Sequence, residues 1–347
     1  MALNYLITGG CGFIGRTLVE RLVGRGDRVR VLDNLSVGTR NALPAAPAPV
    51  EIAVERLGKD WSPLELVVAD IRDARATLAA AVGAEVIVHL AANTGVALSI
   101  DAPREDCEHN VFGVLNILEA ARAHGVRRFV FASSGATLGD QPPPWHEDMA
   151  ARPLSPYGAS KLAGEAYCMA YSGSFGVESV ALRFANVYGP RSDHKTSVVA
   201  KYLRRALAGE ALEIYGDGSQ TRDFIYIDDL VDAIEKATAL PGLAGQVFQI
   251  GTAHGTSIVD LARMVAQEVA AQTGRDVPVL HASSLVGEVH RSVVDISKAR
   301  RLLGYEPKVG LQVGLKRTLE YFLESMRPTR QEGSSEPKRY GAQRGLV

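Results

Sequence analysis

The chain has 347 residues, with 38 Lys and Arg against 39 Asp and Glu, 46% hydrophobic residues and 22% charged ones. That length suits one large α/β unit or a fold with a second, smaller lobe. The even charge balance, with no basic stripe, argues against nucleic acid as the main partner, and no uncharged apolar run is long enough to span a membrane.

Residues 1–10 read as strand and turn rather than as a targeting segment, so a cytoplasmic protein is expected. Residues 5–8, 29–32, 64–69, 86–91 and 128–132 are short runs rich in Val, Ile, Leu and Phe, the pattern of strands buried on both faces. Residues 13–24, 73–82 and 104–124 between them read as helices, and the alternation predicts a doubly wound parallel sheet of the α/β class. Pro44, Pro47, Pro49 and Pro63 mark 42–63 as an exposed insertion. A helix over 155–173 and a strand over 180–184 complete a first unit, residues 1–185. Beyond it the pattern loosens into a helix at 198–208, strands near Leu212 and Phe224, and helices at 227–239, 257–273 and 310–326. These predict a smaller C-terminal α/β lobe from 186–222 and 252–326, with 223–251 returning to the first sheet. Residues 327–347 lack apolar periodicity and are expected to form a mobile tail. Cys11, Cys107 and Cys168 are too scattered for a disulfide framework or a zinc site, so reduced thiols in or near the core, and no metal, are expected.

Gly9, Gly12 and Gly15 fall three apart, after the first strand and at the opening of the first helix. A dinucleotide diphosphate needs that arrangement: a tight turn, close backbone approach, and a helix N-terminus with partial positive charge. Asp33 ends the second strand, where a carboxylate can accept both hydroxyls of an adenosine ribose. A 2′-phosphate would be repelled there, and residues 34–37 offer no Arg or Lys, so NAD is expected over NADP. Asp70 and Ile71 reach the same sheet edge, and Asp70 is a candidate acceptor for the adenine amino group.

Tyr157 and Lys161 stand four apart, on one face of a helix. Bringing a phenol from a pKa of about 10 toward neutrality takes roughly three units, or ~4 kcal/mol. An ammonium ~4 Å away supplies about that much at an effective dielectric near 20. Tyr157 then takes a hydroxyl proton as hydride leaves the same carbon, while Lys161 lowers its pKa and holds the cofactor ribose. Ser133 and Ser134 end the fifth strand at the carboxyl edge of the sheet, with Ser134 placed to bond the reacting oxygen. His89, inside an apolar strand, is expected to be a packed core residue, and Asp228 and Asp229 to cap a helix or match its dipole.

The segments TGGCGFIG (8–15), HLAA (89–92), ASSGATLGD (132–140), YGASK (157–161), LRFANVYGP (182–190) and GDGSQTRDFIYIDD (216–229) together resemble the extended short-chain dehydrogenase/reductases, in the NDP-sugar epimerase and dehydratase branch. The resemblance implies a Rossmann fold, bound NAD, a UDP-sugar substrate, and a homodimer built on the helices near 104–124 and 155–173. It also implies further site residues. Phe13, Ile14, Asn34, Leu90, Ala91, Ala92 and Asn110 join the NAD site, Asn110 by ordering it. Thr94 and Val198 lie on the substrate side, Asn186 holds the diphosphate sugar, Tyr215 lies near uracil, Arg222 pairs with a phosphate, and Glu288 accepts a ribose hydroxyl.

Sugar dehydratases and UDP-glucuronate decarboxylases of this branch carry an acid just after the catalytic Ser or Thr, where this chain has Gly135 and Ala136. The resemblance therefore implies 4-epimerisation: oxidation at C4, turning of the 4-keto sugar, and hydride return. Two positions depart from the family. Leu138 stands where tyrosine is usual, and Leu285 where arginine commonly grips the diphosphate. Arg191, with donors from Ser133, Ser134 and Thr137, would suit a carboxylate at C6. The pattern is similar to bacterial UDP-glucuronate 4-epimerases, including those of glycolipid antibiotic pathways, which places UDP-glucuronate first and UDP-glucose close behind. A dehydrogenase that releases NADH and a non-catalytic NAD-binding protein are the alternatives.

Overall fold

The computed structural model describes residues 2–283 and 290–326. Strands β1 (Asn4–Thr8), β2 (Arg28–Asp33), β3 (Val50–Glu51), β4 (Leu64–Val68), β5 (Val86–His89), β6 (Arg128–Ser134) and β7 (Ser179–Phe184) build most of one parallel sheet. Next in the chain come β8 (Asn186–Tyr188), β9 (Leu212–Tyr215), β10 (Thr221–Tyr226) and β11 (Gln246–Ile250). The sheet order is β11-β7-β6-β5-β1-β2-β4-β3, so the chain reverses direction between β1 and β5. In open α/β sheets the crevice at the carboxyl ends of such a pair is where ligands bind.

Both faces of the sheet are covered, which is why its strands read as near-continuous apolar runs. Tyr5, Ile7, Val29, Val31, Val86 and Val88 pack on the side of helix α1 (Phe13–Gly24). Leu6, Leu32, Ile87, Phe129 and Phe131 pack on the opposite side, against α2 (Ala74–Ala80) and later helices. His89 sits in this core as expected. Its Nδ1 is 2.7 Å from Thr8 Oγ1, and burial drives its pKa down to about 3, so it stays neutral.

Segment 42–63 is mostly exposed, as its prolines predict, and is anchored at a few points. Leu43 and Trp61 are buried, and Val50–Glu51 adds an edge strand to β4. Arg30, a guanidinium in mid-sheet with 0% exposure, is covered by Trp61. It donates to Glu65 Oε2 at 2.6 Å and to the carbonyls of Gly58, Ala80 and Val82, under the Trp61 ring at 4.0 Å. A buried charge must be saturated in this way, and Gly58 and Trp61 tie the exposed insertion to the sheet at that point.

The predicted helix 104–124 forms, running from Pro103 to His124 with a π turn inside it. After α3 (Val96–Asp101) come α4 (Pro103–Cys107), a π turn at Glu108–Phe112, and α5 (Gly113–His124). One extra residue per turn leaves the apolar periodicity almost intact, so the sequence pattern hides it. Cys107 is exposed rather than near the core, whereas Cys11 and Cys168 are buried.

Helix α6 (Pro156–Phe175) crosses the sheet beside β6 and β7. Its start is fixed by Ser155, whose Oγ accepts from Gly158 N at 3.1 Å, and by Pro156 in the first turn. The remaining elements are α7 (Val198–Leu207), α8 (Ile227–Ala239), β12 (Gly255–Ser257), α9 (Ile258–Thr273), β13 (Val279–Ala282), β14 (Arg291–Ser292), α10 (Ser297–Leu303) and α11 (Leu311–Ser325). Of segment 223–251, α8 and β11 return to the main sheet, but β10 does not: it pairs with β8, β12 and β14. Asp228 and Asp229 lie in the first turn of α8 without capping it. Asp229 instead accepts from the backbone N–H groups of Lys308 and Val309, both at 3.0 Å.

Candidate active site

Gly9 leaves β1 at φ +69°, and a Cβ there would lie 2.7 Å from Ala91 N. A Cβ on Gly15 would lie 2.2 Å from Gly9 O, so the turn and α1 meet backbone to backbone. Gly12 N donates to Gly9 O at 3.1 Å, and no side chain caps α1, which leaves the N–H groups of Phe13 and Ile14 turned toward an incoming anion. Across the crevice, Leu90 N and Ala91 N donate to Thr8 O and Thr8 Oγ1, both at 3.2 Å, with Ala92 following.

Asp33 is 8% exposed, and its carboxylate is aimed by two backbone donors, Cys11 N at 2.9 Å and Leu35 N at 2.8 Å. Burial nevertheless pushes its pKa up. Each oxygen retains a lone pair for a ribose hydroxyl. These residues fit NAD: the turn would hold its diphosphate and Asp33 its adenosine ribose. Asp70 departs from expectation: Arg72 donates to both its oxygens and Asn34 Nδ2 to one, holding its pKa well below the usual carboxylate range. Its oxygens are therefore already engaged by Arg72 and Asn34. Ile71 packs against Gly113 at the start of α5.

Ser134, Tyr157 and Lys161 come together where β6 meets α6. The Tyr157 phenol is hydrogen-bonded to Ser134, whose Oγ also accepts from Ala136 N at 3.2 Å. Lys161, 3% exposed, donates from Nζ to Ala132 O at 3.0 Å and lies 5.8 Å from the Tyr157 ring centre. Burial pushes the Tyr157 pKa up to about 12, and the Ser134 bond offsets this only in part. Burial likewise lowers Lys161 to about 8. The lysine alone therefore does not bring the phenol near neutrality as the spacing suggested. Its ammonium bonds a carbonyl, and Asp106 raises the pKa of both groups.

Asn110 is buried and saturated: its side chain exchanges hydrogen bonds with Asn93 N and O, both at 2.9 Å, and donates toward Ser160 Oγ at 3.3 Å. It orders the loop that carries Thr94 and the catalytic helix, rather than facing NAD itself.

The substrate side is reached only in part. Asn186 on β8 lies opposite Phe224 and donates to Asp223 O at 3.2 Å, one residue from Arg222. Arg222 donates to Thr221 O and lies opposite Ser292. Val198 begins α7, and Lys201, one turn on, covers the Tyr215 ring at 5.1 Å. Glu288 and Leu285 lie outside the described residues.

Three of the four candidate carboxylate donors are engaged elsewhere. Arg191 stands at φ +70°, and its guanidinium pairs with Glu20 on α1, away from Ser134. Ser133 is buried and donates to Glu165 Oε1 at 2.5 Å; Thr137 is buried and donates to Ser134 O at 3.0 Å. Leu138 has 0% exposure, so the missing tyrosine hydroxyl leaves a core side chain and not a pocket wall.

Two residues escaped the sequence reading. Glu165, one turn past Lys161, forms a bidentate ion pair with Arg183 on β7 at 2.7 and 2.8 Å. Asp106 is 1% exposed and packs between α4 and α6. A Glu four residues beyond a buried Lys, and an acid one turn before Asn110, were the available signals.

The model of the NAD dependent epimerase/dehydratase family matches residues 5–251. The chain belongs to that family. It is an NAD-dependent enzyme with the extended short-chain dehydrogenase/reductase fold. It is 41% identical over 325 residues to the UDP-glucose 4-epimerase of Mycolicibacterium smegmatis, covering 92% of this chain and 98% of the relative. Its fold is similar to the crystal structure of Thermotoga maritima UDP-glucose 4-epimerase with UDP-glucose, at TM-score 0.84 and 35% identity over 94% of this chain and all of that one. It is similar also to MoeE5 in complex with UDP-glucuronic acid and NAD, at TM-score 0.79 and 31% identity over 93% of this chain and 100% of that chain. Among the described residues, no helix is long and apolar enough to cross a membrane, and no three His, Cys, Asp or Glu side chains group as metal ligands.

Proposed function

We propose that this family member is a UDP-sugar 4-epimerase acting on UDP-glucose and UDP-galactose. The observation that carries the reading is the Ser134, Tyr157 and Lys161 cluster at the crevice, with Gly135 and Ala136 rather than an acid beside it. Bound NAD would supply reversible acceptance of hydride. Tyr157 takes the C4 hydroxyl proton and later returns it, Ser134 donates to the C4 oxygen, and Lys161 holds positive charge beside both. With one base and no second acid, protons at C5 and C6 stay in place and only C4 changes configuration.

UDP-glucose is preferred to UDP-glucuronate on the state of three of the four candidate carboxylate donors: Arg191 is paired with Glu20, and the Ser133 and Thr137 hydroxyls donate inward. MoeE5, solved with UDP-glucuronic acid, favours the second reading. Parallel turnover of the two UDP-sugars is expected to favour UDP-glucose, with no NADH accumulating. Faster epimerisation of UDP-glucuronate would reverse the order, and stoichiometric NADH would make the chain a dehydrogenase.

We also propose a homodimer. Helices α3 and α6 and the π turn leave Leu98, Ile100, Phe112, Tyr167 and Met169 exposed, apolar side chains that a second copy would cover. Sedimentation is expected to show a dimer that Met169→Glu converts to a monomer. A monomeric wild-type chain would remove the proposal.

A further inference from the structure

Asp106 is a buried acid that the chemistry above does not use. It lies on α4, one turn before Asn110, and its Oδ1 accepts from Asn110 Nδ2 at 2.8 Å. Its Oδ2 is buried with no hydrogen-bond partner. A carboxylate held this way is costly unless positive charge stands nearby. Helix α4 packs on α6, whose Lys161 ammonium, bonded to Ala132 O rather than ion-paired to Asp106, acts on the carboxylate electrostatically across the helix contact.

We propose that Asp106 is a positioning residue, the buried counter-charge that holds Lys161 as an ammonium and fixes Asn110 beside the catalytic helix. Its consequence for turnover rests on the epimerase reading; the charge interaction itself does not. The other ionisable groups around Lys161 leave this part to Asp106. Glu165 is neutralised by its bidentate pair with Arg183, Cys168 is held as a thiol by burial, and His89 stays neutral. Asp101 on α3, with Arg104, Glu105 and Glu108 on α4 and the π turn, lies toward solvent, and His109 bonds Glu105 O.

The directions follow from the charges. Asp106 raises the Lys161 pKa against burial and raises the Tyr157 pKa together with burial. Asp106→Asn keeps the shape and the acceptor for Asn110 but removes the charge, so both groups titrate lower. Asp106→Glu retains the charge.

The test follows Lys161 in the NAD-bound protein by the shift of its 13C-labelled Cε, assigned through its loss in Lys161→Met. The Tyr157 phenol is read in the same samples by ultraviolet difference against Tyr157→Phe. In Asp106→Asn the Lys161 midpoint is expected to fall by about one unit, and the Tyr157 midpoint to fall with it; Asp106→Glu restores both. The alkaline limb of kcat moves down in step. A pocket merely loosened by the substitution admits water to Lys161 and moves its midpoint up. An unchanged or raised Lys161 midpoint in folded Asp106→Asn overturns the proposal. Because no sugar is needed, failure of the epimerase reading would appear separately, as absent turnover with the titrations intact.

Discussion

Tyr157→Phe is expected to lower epimerisation by between roughly a hundredfold and ten-thousandfold in kcat, the range lost when a positioned acid–base group is removed. The phenyl ring fills the same space, Lys161 keeps its bond to Ala132 O, and the Gly9 to Gly15 turn is untouched. Bound NAD and KM should therefore change little, and the loss should fall on the chemical step. Ser134 remains as a donor, but a hydroxyl with an ordinary pKa does not replace a phenolate. The pH dependence has a defined sign. Activity rises with pH as the phenol ionises from its raised value of about 12, and falls as Lys161, lowered to about 8, loses its proton. In the protein alone the two limbs stand in the wrong order, so turnover near neutrality needs further positive charge beside Tyr157, which the oxidised nicotinamide carries. Inversion at full rate by a folded Tyr157→Phe protein would sink the mechanism.

Glu165→Leu is expected to destabilise the fold by about 3–5 kcal/mol, because it strands the Arg183 guanidinium in the interior. Arg183 and Glu165 side chains are 5% and 2% exposed, so solvent screens little of the charge. The same carboxylate receives Ser133 Oγ from β6, next to Ser134, and sits one turn beyond Lys161. Breaking it should thus unsettle the strand and the helix that meet at the reaction centre. The double variant Glu165→Leu/Arg183→Met should recover most of the stability, since both charges then leave together. Urea midpoints of the two single variants and the double variant measure this. A double variant no more stable than the single one would show that the pair acts through shape rather than charge.

The two ion pairs buried in the sheet show what the sequence made legible and what it did not. The apolar runs around Ile7, Val31, Val88 and Val130 announced the parallel sheet because both of its faces are covered. Arg30 and Glu65 were in plain view as lone charges in such runs, but only the register that sets them opposite each other reveals a pair. The Gly9 turn, Asp33, Ser134, Tyr157 and Lys161 were readable because backbone space and helical spacing are local properties. Arg191 was not, since a positive φ after the Val187 to Pro190 turn sends its side chain to Glu20 rather than to the sugar. Ser133 and Thr137 failed for a related reason. A hydroxyl near a crevice donates to whatever lies closest, and here an interior carboxylate and a carbonyl were closer.

Ala185 alone separates β7 from β8, so the last residues of the NAD sheet run directly into the strand that pairs with β10 in the sugar-side sheet. Rocking of one lobe against the other would have to bend a continuous piece of extended backbone. On the proposed epimerase reading, the half-turn that exposes a flattened C4 to its opposite side would then fall to the sugar, swivelling about its own diphosphate link.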